Sequence, residues 1–214
     1  MNISNLETLY VKDTYNIIAN EFDNTRSYLW MGVKEFIRSL PKYSTLLECG
    51  CGNGKNNFRN DIYYFGMDLS FSMNQICRQK DIETICSNIL NLPYKDNYFD
   101  NNICIAVLHH LDSFLKVEKA IKELIRVTSI NGKVFIQVWQ YNHLLIKSKG
   151  NKIKGSNNFL IEWNNPQKTR TFYRYYHLFT EKEIKTILKP IKNIELINIY
   201  LEKQNWVIII KKLL

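Results

Sequence analysis

A short apolar run that ends in an acid and leads into three alternating glycines most constrains this chain. The segment reads Leu47-Glu48-Cys49-Gly50-Cys51-Gly52-Asn53-Gly54. The apolar run predicts a buried strand, and the glycines let the backbone pass close to a nucleotide-type ligand because they carry no Cβ. A dinucleotide fingerprint is spaced G-x-G-x-x-G and faces a pyrophosphate. Here the third glycine comes one residue earlier, which favours a ligand without phosphates.

The remaining apolar pattern alternates between helical and strand spacing. Helices are predicted for Asn5 to Phe22, Tyr28 to Leu40, the segment after the glycines, Ser72 to Gln79 with a capping serine, Ser113 to Thr128 and Glu181 to Leu188. Strands are predicted for Thr45 to Cys49, Ile62 to Met67, Glu83 to Ser87, Asn102 to Val107, Lys133 to Trp139 after an Asn131-Gly132 turn, Ile194 to Tyr200 and Trp206 to Ile210. The link between the last two strands is too short for a crossover. We therefore expect a Rossmann-like α/β fold, with a mostly parallel seven-stranded sheet, helices on both faces and a C-terminal antiparallel hairpin.

The 214 residues, of which 45% are hydrophobic, suit a single domain. We divide it into an N-terminal helical cap (1–40), a cofactor-binding core (44–140), a basic substrate-facing insertion (141–179) and a closing helix and hairpin (180–214). Within the insertion, the low-complexity stretch 147–158 resembles a mobile segment between strand and helix. No apolar run approaches the length of a membrane span, so we expect a soluble protein of the cytoplasm, with the nucleus as an alternative. The five cysteines lack metal spacing, which predicts reduced thiols and no metal.

A second acid ends the next predicted strand, in Phe65-Gly66-Met67-Asp68. Open α/β sheets bind ligands at the carboxyl ends of their strands, and a carboxylate there can accept hydrogen bonds from both ribose hydroxyls. Asp68 could instead cap the following helix, since aspartate is a favoured cap. Beside the glycine loop, we expect the ribose role.

Positive charge is concentrated in one quarter of the chain. The formal net charge is +9, and residues 140–192 hold eleven Lys or Arg against three acids, a local charge of +8. Such a stripe is typical of a surface that binds nucleic-acid phosphates. A solvated face with surplus lysines is the alternative.

Four segments resemble the class I S-adenosylmethionine methyltransferases. They are Leu47 to Gly54, Phe65 to Asp68, Leu92 to Asp100 and Ala106 to His110. The resemblance implies S-adenosyl-L-methionine as cofactor, with Glu48 supporting its methionine end. The usual acid after the third strand is replaced by Asn88, whose amide oxygen can accept the same hydrogen bond from adenine. The cofactor residues implied are Glu48, Gly50, Gly52, Gly54, Asp68, Asn88 and Ile89.

Flanking segments resemble a narrower family, the tRNA wobble-uridine carboxymethyl methyltransferases, which includes the methyltransferase domain of the tRNA-modifying AlkB homologue and stand-alone fungal relatives. They are Glu7 to Val11, Tyr15 to Arg26 with Trp30, Val138-Trp139, Phe159 to Trp163, Arg174 to Phe179 and Asn205-Trp206. The resemblance implies a tRNA-modifying enzyme that binds RNA. Its reaction would be methyl esterification of 5-carboxymethyluridine at the anticodon wobble position to 5-methoxycarbonylmethyluridine.

That reaction needs positioning more than acid–base chemistry, because a carboxylate with an ordinary pKa of about 4 is already ionised at neutral pH. This positioning requires a clamp, meaning a side chain that holds the substrate carboxylate in place. Arginine suits this role, since its planar fork binds carboxylate or phosphate without titrating. The catalytic candidates are Arg26, His110 and Arg174. The substrate-binding candidates are His109, Trp163, Tyr175, Tyr176, His177, Lys149, Lys152 and Lys154. Each histidine could instead be structural, and each aromatic could belong to the core.

Two other functions share parts of this pattern. A small-molecule methyltransferase acting on a quinone, sterol or other metabolite would be expected to carry an apolar lid rather than arginines and a basic stripe. A non-catalytic binding module would have no need of intact glycines and Asp68. Related methyltransferases work with a small zinc-binding activator protein that pairs with the exposed third strand. The resemblance therefore implies a heterodimer contact at Ile82 to Cys86.

Overall fold

The computed structural model describes residues 4–25, 28–144, 149–153 and 155–214. Its strands, in chain order, are β1 (Thr45–Cys49), β2 (Tyr63–Asp68), β3 (Thr84–Cys86), β4 (Phe99–Ile105), β5 (Thr128–Trp139), β6 (Gly150–Lys152), β7 (Asn158–Asn164), β8 (Thr171–His177), β9 (Ile194–Glu202) and β10 (Asn205–Lys212). Its helices are α1 (Asn5–Glu7), a π-helical turn (Thr8–Asp13), α2 (Thr14–Thr25), α3 (Met31–Ser39), α4 (Phe71–Gln79), a 3-10 turn (Leu108–His110), α5 (Phe114–Val127) and α6 (Glu181–Leu188).

Seven strands form the main sheet in the order β3-β2-β1-β4-β5-β10-β9. Strands β1 to β5 pair in parallel, whereas β10 is antiparallel to both β5 and β9. The predicted fold class and the C-terminal hairpin are therefore confirmed. The predicted Asn131-Gly132 turn lies in the irregular beginning of β5, where Asn131 has a φ of 66° and the register with β4 shifts.

Side-chain alternation along the strands distributes the core between the two faces of this sheet. On β4, Cys104 joins the cluster beneath α5 and α6, while Ile103 and Ile105 join the cluster beneath α3. Residues i and i+2 of a strand share a face, so one apolar strand supplies both clusters. No helix of the described ranges is long and apolar enough to cross a membrane.

The helix predicted after the glycine loop is absent, and residues 51–60 form turns. Four of these ten residues are asparagine, which favours turns because its side chain bonds nearby backbone. One of them, Asn56, donates its side-chain N–H to Glu48 at 2.7 Å, so the segment is held by the end of β1. The helix α4 begins at Phe71, and its capping serine is Ser70.

The prediction that residues 147–158 are a mobile segment was wrong for those of them that the structure describes. Strands β6, β7 and β8 form a separate antiparallel sheet, with Gly150–Lys152 paired along Phe159, Leu160 and Ile161. The alternating residues of β7 bury Phe159, Ile161 and Trp163 on one face. Lysines and asparagines around this strand hid that alternation in the sequence.

A buried ion pair fastens the N-terminal segment to the body of the protein. The Lys116 ammonium lies 2.9 Å from carboxylate oxygens of both Glu7 and Asp112. The other Glu7 oxygen accepts the backbone N–H of Asp112 at 3.0 Å. Because Glu7 and Lys116 are both buried, this link holds α1 and the helices that follow it over the carboxyl ends of the sheet.

Candidate active site

A crevice of about 560 Å³ opens at the carboxyl ends of β1, β2 and β4. It is lined by residues of the glycine loop, the end of β2, the N-terminal segment and β8. The predicted position of the ligand site, at the strand ends of an open sheet, agrees with this cavity.

The three glycines serve different purposes. Gly50 has a φ of 77°, and a Cβ there would lie 2.0 Å from Val107, so the loop packs directly on the end of β4. Gly54 has a φ of 72°, and a Cβ there would lie 2.3 Å from Ile82. Gly52 has a φ of 54° but nothing within 4 Å of a built Cβ, and it lines the crevice. Its missing side chain therefore leaves room for a ligand.

Asp68 faces the crevice from the end of β2 and orders the loop opposite. Its Oδ2 accepts the backbone N–H of Gly52 at 2.8 Å, and its Oδ1 accepts that of Ser70 at 2.9 Å. Burial raises the pKa of the carboxyl, and these backbone donors oppose that effect. Each oxygen keeps a lone pair for a further donor, as ribose recognition requires.

Glu48 is almost completely buried at the end of β1, yet it lines the crevice. Its oxygens accept hydrogen bonds from the Asn56 amide at 2.7 Å and from the Tyr64 hydroxyl. Burial raises the pKa of Glu48 to about 7, although both donors lower it. A cation in the crevice would favour the ionised form, so this carboxyl suits the cationic methionine end of the cofactor.

The raised pKa predicts a pH-dependent stability that Glu48→Gln removes. The folded state holds the proton more tightly than the unfolded state, so stability falls as pH rises from 4.5 to about 7. The free energy of unfolding of Glu48→Gln, relative to wild type, should increase across this window by up to about 1.4 kcal/mol per pH unit. Urea denaturation at several pH values measures this, and the buried histidines cancel because both proteins carry them. A difference that does not change with pH would contradict the assignment.

The segment after β3 completes this end of the crevice. Asn88 and Ile89 both line it, together with Met67 and Leu69 of the β2 end. The Asn88 Oδ1 accepts the backbone N–H of Leu90 at 2.9 Å, which fixes the amide and leaves a second lone pair. Apolar walls beside one amide are suited to an adenine ring, and so the residues present fit S-adenosylmethionine.

Arg174 of β8 lies in the other part of the crevice. Its side chain is buried, and its Nη1 donates to the Tyr15 hydroxyl at 3.2 Å. The same hydroxyl lies 3.1 Å from His110 Nε2, and His110 Nδ1 lies 2.7 Å from the Tyr175 carbonyl. Burial lowers the pKa of His110 to about 3, so the imidazole is neutral at physiological pH.

Aromatic side chains form the wall next to Arg174. Tyr176 lines the crevice, with the Arg174 guanidinium 5.3 Å from its ring centre. Trp139, at the end of β5, stacks on His143 with centroids 3.8 Å apart and an angle of 6° between the rings. Trp139, His143 and Tyr15 were not predicted as site residues. The position of Trp139 at the carboxyl end of a strand was the available signal, whereas Tyr15 lies on a helix whose docking only the tertiary structure reveals.

Several predicted substrate contacts do not line the crevice: His109, Trp163, Tyr175 and His177. Strand alternation separates Tyr175 and His177 from Arg174 and Tyr176, because successive side chains of β8 point to opposite faces. His177 Nδ1 instead donates to the Asn158 Oδ1 at 2.7 Å.

The other two residues belong to the packing around the site. His109 accepts the Trp139 backbone N–H at 3.3 Å and stacks on Tyr176, so it supports the aromatic wall from behind. Trp163 is buried in the second sheet against Phe172.

The predicted basic contacts are only partly described. Lys149 and Lys152 are exposed next to the second sheet, and the Lys152 ammonium lies 5.8 Å from the Tyr141 ring centre. Arg26 and Lys154 lie outside the described residues. At the predicted partner contact, Ile82 is buried in the core, whereas Ile85 of β3 is 38% exposed.

Comparison with known proteins gives consistent matches. A model of the methyltransferase domain family matches residues 47–136. Among curated proteins, the tRNA (carboxymethyluridine(34)-5-O)-methyltransferase of Arabidopsis thaliana is 42% identical over 63% of this chain and 33% of its own length. Its alkbh8 counterpart in Xenopus tropicalis is 28% identical over 100% of this chain and 42% of its own length. The Schizosaccharomyces pombe enzyme of the same name is 28% identical over 96% of this chain and 97% of its own length.

The chain thus spans less than half the length of the first two relatives. Among solved structures, a SAM-dependent methyltransferase from Methanosarcina mazei superposes with a TM-score of 0.69 at 22% identity, covering 84% of this chain and 97% of that one. A methyltransferase in complex with the Trm112 methyltransferase activator of Haloferax volcanii superposes with a TM-score of 0.67 at 11% identity, covering 95% and 98%.

The sheet order and the glycine loop facing Asp68 define the fold of one class of protein, the class I S-adenosylmethionine-dependent methyltransferases, and residues 47–136 are similar to the methyltransferase domain family. Within that class the chain resembles the tRNA (carboxymethyluridine(34)-5-O)-methyltransferases of animals, plants and fission yeast.

Proposed function

We propose that this chain methylates the carboxylate of 5-carboxymethyluridine at the wobble position of tRNA, producing the methyl ester. The observation that carries the proposal is Arg174, a guanidinium that is 5% exposed and lines the same crevice as Asp68. None of the described acids pairs with it, and its Nε has no hydrogen-bond partner among the described residues. A buried cation without a counter-ion is costly, so an anionic substrate group is its natural partner.

The described residues can bind and orient both reactants. Asp68, Glu48 and Asn88 would hold the cofactor, which would supply the methyl group from its sulfonium sulfur. Arg174 binds the carboxylate, whose oxygen accepts the methyl group and leaves S-adenosylhomocysteine. The neutral His110 takes no proton from a carboxylate that is already ionised. Catalysis would then consist of positioning the carboxylate oxygen in line with the methyl group.

A tRNA substrate also accounts for the exposed lysines near the second sheet. Lys152 lies on β6 and Lys149 directly precedes it. Strand β6 pairs with β7, which in turn pairs with β8, the strand that carries Arg174. Both lysines would contact phosphates near the target nucleotide. The proposal is compatible with the cytoplasm and with the nucleus, because tRNA occurs in both.

We expect tRNA binding to fall steeply with salt, because several phosphates must be neutralised. The double reversal Lys149→Glu/Lys152→Glu should weaken tRNA binding at least tenfold and leave cofactor affinity unchanged. The matched control is Lys133→Glu/Lys211→Glu, since these lysines face each other across β5 and β10 away from the crevice. Filter binding from about 50 to about 200 mM salt measures the slope. Equal affinity of both double variants would remove the electrostatic support for tRNA.

The edge strand β3 is the proposed contact of an activator subunit. It ends the seven-stranded sheet, is only three residues long, and has exposed side chains at both Ile85 and Cys86. Unpaired backbone groups on such an edge can bind a strand of a partner. We propose a heterodimer with a small zinc-binding activator protein through Thr84–Cys86.

Nucleoside analysis of tRNA from cells that lack this protein tests the proposed function. Loss of 5-methoxycarbonylmethyluridine with accumulation of its free acid or amide is the expected result. An unchanged nucleoside profile would contradict the proposed function and favour a small-molecule methyltransferase.

A further inference from the structure

Three separate elements meet at one hydroxyl group in the crevice. Tyr15 belongs to α2, His110 to the turn after β4, and Arg174 to β8 of the second sheet. The Tyr15 oxygen lies 3.1 Å from His110 Nε2 and 3.2 Å from Arg174 Nη1. The hydroxyl therefore connects the N-terminal cap both to the turn after β4 and to the second sheet.

The direction of every hydrogen bond in this array follows from the two groups at its ends, the Tyr175 carbonyl and the Arg174 guanidinium. The Tyr175 carbonyl can only accept, so His110 Nδ1 carries the proton at their 2.7 Å contact. The neutral ring then leaves Nε2 as an acceptor, to which the Tyr15 hydroxyl donates its hydrogen bond. Arg174 has only donors, so Tyr15 receives its Nη1–H. One arrangement satisfies all four groups.

This arrangement fixes the plane of the Arg174 guanidinium. Its carbon lies 5.3 Å from the Tyr176 ring centre and 5.9 Å from that of Tyr15, so the two rings bracket it. With Nη1 engaged by Tyr15, the Nε side has no partner among the described residues and remains for a ligand. A carboxylate fits such a guanidinium edge with two parallel hydrogen bonds.

We propose that Tyr15 is a positioning residue that orients Arg174 for the substrate carboxylate and makes this clamp depend on the docked N-terminal cap. The inference rests on the proposed function. Tyr15 touches neither reactant in this role and acts through Arg174. The cap itself is held by the Glu7–Lys116 ion pair. The Thr14 hydroxyl, which donates to the Leu9 carbonyl at 2.9 Å, also lies 3.3 Å from the Tyr173 carbonyl of β8. The segment that closes the crevice thereby also completes the clamp.

The test is Tyr15→Phe, which removes only the hydroxyl and keeps the edge-to-face ring contacts with Phe22 and His110. We expect turnover on tRNA carrying 5-carboxymethyluridine to fall tenfold or more, with cofactor affinity and melting temperature near wild type. Tyr10→Phe is the matched control, because Tyr10 lies on the same segment but does not line the crevice. It should retain full turnover.

Nitrogen NMR of His110 gives a second readout that a packing role would not change. In wild type, Nε2 should show a hydrogen-bonded, unprotonated shift, and Tyr15→Phe should move it toward the unbonded value while Nδ1 stays protonated. The charged and titratable groups facing this ring are Arg174, His109, Tyr15 and Tyr176, and only Tyr15 changes.

The two failures are distinguishable. If wild type esterifies the tRNA and Tyr15→Phe does so equally fast, the positioning role is wrong. If the Nε2 shift is the same in wild type and variant, the hydrogen-bond array is wrong whatever the activity. If the wild type is inactive on this tRNA while the Nε2 shift moves as expected, the proposed substrate is wrong. The proposal that Tyr15 orients Arg174 for a substrate carboxylate is then wrong as well.

Discussion

Replacing Arg174 by lysine is expected to lower turnover on carboxymethylated tRNA roughly a hundredfold, the scale of losing one positioned donor. The positive charge is kept, but a lysine cannot both donate to Tyr15 and present a planar pair of donors to a carboxylate. Single-turnover ester formation with saturating cofactor measures the effect. Arg170→Lys is the matched control, because Arg170 is exposed on the approach to the same strand.

Cofactor affinity should stay near wild type in Arg174→Lys, since the predicted cofactor residues belong to the ends of β1, β2 and β3 and not to β8. Full turnover in this variant would contradict the clamp. The sequence predicts the same role for Arg26, and Arg26→Lys should behave in the same way. Because Arg26 lies outside the described residues, its expected effect stands on the sequence alone.

Replacing Asp68 by alanine is expected to weaken S-adenosylhomocysteine binding by about 2 kcal/mol or more, which corresponds to roughly thirtyfold. The variant loses the ribose acceptor and also the bond that holds the Gly52 N–H at 2.8 Å. Asp68→Asn keeps the shape of the side chain, and its affinity for S-adenosylhomocysteine should lie between those of wild type and Asp68→Ala. Titration calorimetry measures all three proteins.

The control for this loss is Asp100→Ala. Asp100 also accepts a backbone N–H, from Thr45 at 2.7 Å, but it does not line the crevice. Its variant should bind cofactor like wild type even if it is less stable. Equal cofactor affinity of Asp68→Ala and wild type would overturn the ribose assignment.

The sequence indicates that the predicted cofactor residues share one edge of the sheet, because each lies at the end of a strand or directly after one. Glu48, Asp68 and Asn88 stand at the ends of apolar runs, and parallel strands bring such ends to one edge. The glycines add a local signal, since Gly50 and Gly52 adopt the positive φ that glycine accepts readily. The structure brings these residues together at one crevice, although the helix predicted after the glycines does not form.

The substrate half depends on packing between distant elements, which local spacing does not encode. Arg174 was predicted, but the second sheet that carries it was not, and neither was the pairing of Gly150–Lys152 with β7. Tyr15 is 159 residues from Arg174 in the chain and meets it only when the N-terminal cap docks. The choice between Tyr176 and Tyr175 as a crevice residue likewise depends on the register of β8, which a run of four polar and aromatic residues leaves open.

The measurement that tests the central claim most directly is methyl transfer by the purified protein to three tRNA substrates that differ only at the wobble uridine. They carry 5-carboxymethyluridine, its amide or unmodified uridine, and each is assayed with and without a zinc-binding activator. Mass spectrometry of the digested nucleosides gives the readout. We predict ester formation on the carboxymethyl substrate alone, because only that group offers a carboxylate to Arg174. Methylation of unmodified uridine, or no transfer to the carboxymethyl substrate under either condition, would contradict the proposed function.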